Sequence, residues 1–145
     1  VSVLDVMLAS LVLRGVEVMR VQLMNKDSLD MTPDDPTLIA ETADRMARTA
    51  GGVVVVHGTD RLADSGERLV AMVGTPRRPV VFTGAMRPYE LRNTDAMQNL
   101  TEALLAVQIL PPGVYVAMHN QVLAFPGVVK DRQAGTFVKR GGEAR

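Results

Sequence analysis

The sequence predicts an α/β protein built on a doubly wound, mostly parallel sheet. Three observations predict it. Apolar runs at Val53–Val56, Val80–Phe82 and Val114–Met118 show no alternation, the mark of strands covered on both faces. Helical stretches of about 12–16 residues lie between them, as in βαβ units. Each run then empties into a polar loop, and in open α/β sheets ligands sit beyond the carboxyl ends of the strands.

The elements follow in order. Leu4, Met7, Leu8 and Leu11 make a helical stripe that stops before Gly15. Val16 to Met24 is valine-rich and partly alternating, which reads as a strand. Thr32-Pro33-Asp34-Asp35 opens the next helix with a capping hydroxyl, a first-turn proline and acids at the positive helix end. Ile39, Ala43, Met46 and Ala50 form its buried stripe, and Gly51-Gly52 ends it. After the Val53–Val56 strand, Leu62, Gly66, Leu69 and Val73 mark a third helix closed by Gly74. Arg78 to Thr83 is the next strand. Met97, Leu100, Leu104 and Val107 line a fourth helix, stopped by Pro111-Pro112-Gly113. Val114 to Met118 is a strand, His119-Asn120-Gln121 a turn, and Gln121 to Phe125 a short added strand or hairpin. The tail from Gly127 is basic and shows no period.

Bulk composition narrows the function. A chain of 145 residues reads as one domain with a normal core. Sixteen basic residues balance sixteen acidic ones, so nothing draws the chain to nucleic acid or to an anionic membrane. No cysteine is present, which removes disulfides, thiolate nucleophiles and thiolate metal sites. With two histidines, His57 and His119, a zinc site would need unusual carboxylate spacing. The apolar runs are too short to span a membrane, and no signal peptide is visible, so the expectation is a cytoplasmic location.

Three strand-end loops carry the candidate chemistry: Asp27, Ser28 and Asp30; Thr59 and Asp60; Arg87, Tyr89, Glu90 and Arg92. A parallel sheet brings all three to one edge, and Lys130 lies within reach of it. Thr59 becomes a nucleophile only if a base removes its proton. A lysine whose pKa is lowered can do so, with a carboxylate holding it in place. The plainer reading of Thr59-Asp60 is a cap on the helix beginning at Arg61. His57, at the end of a buried strand, reads as a hydrogen-bonded structural histidine, and Ser28 as a turn residue.

Taken together, the segments resemble the amino-terminal domain of the L-asparaginase/glutaminase family, of flavodoxin-like form. The likeness runs from about Asp27 to the end. It is carried by Val53-Val-Val-Val-His57-Gly-Thr-Asp60, Pro79-Val-Val-Phe-Thr-Gly-Ala-Met-Arg-Pro88, and Glu90-Leu-Arg-Asn-Thr-Asp-Ala96 with Asn99-Leu100. Asn25-Lys-Asp-Ser-Leu-Asp-Met31 is similar to the family's substrate loop, and Val129-Lys130 with Gly135-Thr-Phe137 to its catalytic-lysine segment.

The resemblance implies hydrolysis of L-asparagine to L-aspartate and ammonia, with no cofactor and no metal, by a homo-oligomer (dimer or tetramer). It implies that Thr59, Lys130 and Asp60 form the catalytic centre. Asp60 would also meet the substrate's α-ammonium and Ser28 its α-carboxylate, with Asp27, Gly58 and Ala85 lining the substrate site. Glutamine is one methylene longer, a difference worth roughly 1–3 kcal/mol in a pocket, so some glutaminase activity is compatible.

Four departures stand out. The family's opening strand with Thr-Gly-Gly-Thr-Ile, which supplies a second threonine, is not in these residues, and the expectation is that it lies upstream of Val1 or is lacking. Leu29 stands where many members have glutamine, and Arg61 where threonine is common. The residues read as a single domain without the family's carboxy-terminal domain. The competing reading is an inactive amino-acid-binding or interaction domain. A subunit of a transfer-RNA-dependent amidotransferase is disfavoured by the neutral charge, and a nucleotide-binding domain by the lack of a Gly-rich fingerprint.

Overall fold

Successive strand residues point to opposite faces of a sheet, and here each face meets its own helices. The computed structural model describes residues 2–23 and 31–140. Its helices are α1 (Val3–Ala9), α2 (Asp35–Ala47), α3 (Leu62–Val73) and α4 (Ala96–Ile109). Strands β1 (Val53–Val56), β2 (Val80–Thr83), β3 (Val114–Met118) and β4 (Gln121–Ala124) form one sheet in the order β1-β2-β3-β4. The first three run parallel, and β4 returns antiparallel to β3. A separate antiparallel hairpin joins β5 (Val128–Asp131) to β6 (Thr136–Lys139).

Val53, Val80, Phe82, Val114, Val116 and Met118 pack against Ile39, Ala40, Ala43 and Ala47 of α2 and Leu62 and Leu69 of α3. Val81 and Ala117 face the other way, onto Ala103 and Ala106 of α4. Helix α1 lies against α4 through Met7 and Leu100. Helices on both faces of a mostly parallel sheet are the doubly wound α/β arrangement expected from the sequence.

The structure corrects several details. Residues 16–23, expected in a strand, carry no regular structure, and Val18, Met19 and Val21 are exposed. Residues 18–23 line a groove of about 260 Å³ whose other wall is Val53–Val56. The N–H groups of Val53 and His57 donate inward, to Pro79 O and Thr83 O of the β2 segment. A parallel ladder therefore turns the polar groups of Val54 and Val56 outward into the groove. Valine-rich sequence without a ladder partner does not become a strand. For the same reason β1 is not covered throughout: Val56 is 46% exposed.

Helix α2 starts at Asp35, later than Thr32-Pro33 suggests. Its N-cap, Asp34, makes no side-chain capping bond, and the Asp35 carboxylate instead accepts from the Thr32 N–H. Ala50 lies past its end and is exposed, while Ala40 and Ala47 complete the buried stripe. The tail that shows no period in sequence contains the β5–β6 hairpin.

Helix α3 buries Leu62, Ser65, Gly66 and Leu69, spaced as one helical face. Gly66 permits a close approach: a Cβ there would fall far inside contact distance of the Phe125 ring. Gly66→Ala is expected to destabilise the protein by roughly 1–3 kcal/mol through overpacking, despite alanine's better helix propensity. Urea denaturation of the two proteins measures it, and a stabilised variant would show that α3 shifts freely away from Phe125.

Candidate functional site

Strand β1 delivers His57-Gly58-Thr59-Asp60 to the carboxyl edge of the sheet. The buried His57 fixes this turn. Its Nδ1 lies 2.7 Å from Gly58 O, which can only accept, so the proton sits on Nδ1. Its Nε2, 2.8 Å away, then accepts from the Ser65 hydroxyl. Burial pushes the imidazole pKa down, favouring this neutral form. His57 is thus the hydrogen-bonded histidine that the sequence suggests.

Thr59 and Asp60 do not cap α3, whose N-cap is Arg61 with no side-chain capping bond. They turn instead to the hairpin. Lys130 Nζ donates to Thr59 Oγ1 at 2.8 Å and to Asp60 Oδ1 at 2.9 Å. Arg132 Nη2 donates to the same Asp60 oxygen at 2.7 Å. Hydrogen bonding from Lys130, with a further contribution from Arg132, holds the Asp60 carboxyl below the usual carboxylate range. Lys130 and Asp60 are mostly covered, their side chains 17% and 21% exposed, whereas Arg132 is 69% exposed.

The hairpin is placed by contacts far from these three residues. Val128 and Phe137 are buried in the main core. The Glu67 carboxylate on α3 accepts from the N–H groups of Gly127 and Val128. Lys139 Nζ donates to the carbonyls of Ala124 and Pro126. Thr136 Oγ1 lies 2.7 Å from His119 Nδ1, and His119 Nε2 lies 2.6 Å from Asp95 Oδ2. A carboxylate only accepts, so His119 donates from Nε2 to Asp95, and in its neutral form accepts the Thr136 proton at Nδ1.

Asp95 also accepts from Met86 N, Arg87 N and Asn99 Nδ2. Asn99 in turn donates to Gly84 O and accepts from His119 N. Burial pushes the Asp95 carboxyl up, but bonds from Arg87 N–H, His119, Met86 N–H and Asn99 outweigh it and bring the pKa down to about 2.

Of the residues singled out in the sequence, Thr59, Asp60 and Lys130 come together directly. Gly58 and Ala85 line one cavity of about 250 Å³ between the β1 and β2 loops, along with Gly84 and Leu100. Arg87 stays at the surface, its Nε donating to Asn93 O. Asp27, Ser28 and Asp30 lie outside the described residues. Sequence reasoning missed the Asp95–His119–Thr136 chain and Arg132. Arg132 lies in the turn just past β5, and its only sequence signal was its place two residues after Lys130. Among the described residues no group of three or more His, Cys, Asp or Glu could hold a metal ion. No helix among them is long and apolar enough to cross a membrane.

The family model described as "Asparaginase, N-terminal" matches residues 3–136. The chain belongs to this asparaginase family. The domain is 33% identical over 121 residues to an L-asparaginase of Thermococcus kodakarensis, covering 83% of this chain and 37% of that protein. It is 39% identical over 97 residues to a mouse 60 kDa lysophospholipase, covering 66% of this chain and 17% of that protein. The solved structure of the thermostable T. kodakarensis L-asparaginase superposes with a TM-score of 0.87 at 30% identity, covering 95% of this chain and 43% of that one. The asparaginase domain described here therefore spans well under half the length of these relatives.

The Asp95 network generates a pH prediction. A carboxyl depressed from 3.8 to about 2 in the folded state stabilises the fold above its unfolded pKa. That contribution, about 2 kcal/mol, is lost as pH falls from roughly 4 toward 2. Asp95→Asn is expected to lower stability near pH 7 by a similar amount, since an amide cannot accept from every donor present, and to flatten the acid limb. Denaturation midpoints across pH 2–7 test this, and an unchanged acid limb in Asp95→Asn would assign the loss to other carboxylates.

Proposed function

We propose that this domain hydrolyses the side-chain amide of L-asparagine to L-aspartate and ammonia, with L-glutamine admitted as a second substrate. The observation that carries the reading is the Lys130 bridge between Thr59 and Asp60, made across 71 and 70 positions of sequence. Family membership supports the reaction class. In this reading Lys130, in its amine form, takes the proton of Thr59 Oγ1 or of a water beside it. The oxygen adds to the amide carbon, and the carbonyl electron pair moves onto its oxygen, steadied by backbone N–H groups near Thr59. The proton passes from Lys130 to the amide nitrogen, the C–N bond breaks and ammonia leaves. Where Thr59 has attacked, water then cleaves the ester and restores the hydroxyl.

Asp60 holds Lys130 in line and meets the substrate's α-ammonium, while Ser28 helps hold its α-carboxylate and Asp27 lines the substrate site. That Gly58 and Ala85 meet on one small cavity supports a shared role as substrate contacts. The reading includes a homo-oligomer working in the cytoplasm, and exposed Leu105 and Ile109, one turn apart on α4, support an interface.

The competing reading is that these residues bind an amino acid without turning it over. The two readings separate on ammonia release from L-asparagine. Thr59→Ala and Lys130→Met are each expected to lower turnover by roughly 10²-fold or more while unfolding cooperatively like the parent. Near-normal turnover in either variant would sink the proposed centre. A parent chain that binds L-asparagine but releases no ammonia would select the binding reading.

A further inference from the structure

The two cations on Asp60 are not equivalent, and the difference points to substrate recognition. Lys130 is mostly covered and bonds both Thr59 and Asp60. Arg132 reaches Asp60 from the solvent side, through one nitrogen to one oxygen, with its side chain 69% exposed. A guanidinium can present two parallel N–H groups to a carboxylate, and this contact does not use that fork. An exposed ion pair of this kind is weak and is readily exchanged.

Of the two side chains on Asp60, Arg132 is the one that faces solvent. Nearby, Arg61 pairs with Asp64, and the Asp131 carboxylate accepts from the N–H groups of Gln133 and Ala134 in its own turn. An exposed guanidinium at the mouth of the site suits an anionic group on the incoming molecule. An α-amino acid brings both an ammonium and a carboxylate. Its ammonium competes with Arg132 for Asp60, whose Oδ1 already accepts from Lys130 as well.

We propose that Arg132 is a substrate-binding residue that leaves Asp60 when the amino acid arrives and takes the α-carboxylate, freeing Asp60 for the α-ammonium. This rests on the proposed reading of the site as one for L-asparagine. The exchange breaks one ion pair and forms two, and no covalent step is involved. It makes the site selective for a free amino acid over an amide-capped or peptide-linked asparagine, which lacks the α-carboxylate.

The test is binding, measured by titration calorimetry in a Thr59→Ala background so that turnover does not intervene. The probes are L-asparagine and L-asparaginamide, which differ only in the charge of the α-carboxyl group. The Thr59→Ala protein is expected to bind L-asparagine about tenfold or more tighter than the amide. Adding Arg132→Gln should bring that ratio to within about twofold, chiefly by weakening L-asparagine, while Arg132→Lys keeps part of it. A ratio unchanged by Arg132→Gln overturns the assignment and leaves the proposed site standing. If the Thr59→Ala protein binds neither probe, the amino-acid site itself is wrong and this assignment falls with it.

Discussion

Asp95 is a carboxylate almost wholly removed from water, and it stays charged because every direction around it is filled by a donor. Those donors come from different parts of the chain: the loop after β2, the first turn of α4, and the tight turn between β3 and β4. Through His119 the chain of bonds continues to Thr136 on the hairpin. A buried charge with one partner missing is costly, so these segments are held together as a set. The loops at the carboxyl edge of the sheet therefore owe their spacing to a residue that does not itself face the site. Gly84 completes the arrangement, since a side chain there would collide with the His57 carbonyl and push the β1 and β2 loops apart.

The path from sequence to fold is clear where burial alone decides the conformation. Val80–Thr83 is buried at every position and Val114–Met118 at all but one, and continuous apolar sequence announces both. Helix α3 is as plain, with Gly74 at positive φ ending it. Residues 16–23 mislead because a strand is a relation between two segments, and valine content shows only one of them. The β5–β6 hairpin is invisible for the opposite reason. Each of its strands is four residues long, too short for a period to register, and its stability comes from Phe137 and Val128 reaching a distant core.

The site divides in the same way. A hydroxyl and a carboxylate directly after a strand suit a helix cap as well as a catalytic pair, and local spacing cannot separate the two. Asp60 sends its oxygen to Lys130 some 70 positions away, which rules out the cap. The likeness of Val129-Lys130 to a family segment supplied that partner in advance, whereas local pattern placed Lys130 only within reach of the same edge. Arg132 had no motif to mark it, and only the folded hairpin sets it beside Asp60.

Among the described residues the hairpin shares no ladder with the main sheet: β5 pairs with β6, while Thr59 and Asp60 follow β1 of the other sheet. It is attached through side-chain bonds and through Val128 and Phe137 in the core. A piece held this way is expected to open at lower free energy than the sheet beneath it. When it lifts, Lys130 and Arg132 depart together, while Thr59 and Asp60 stay on an intact scaffold. The assembled site is thus a property of docking between two units, and amide exchange in β5 and β6 would record its breathing separately from the unfolding of the protein.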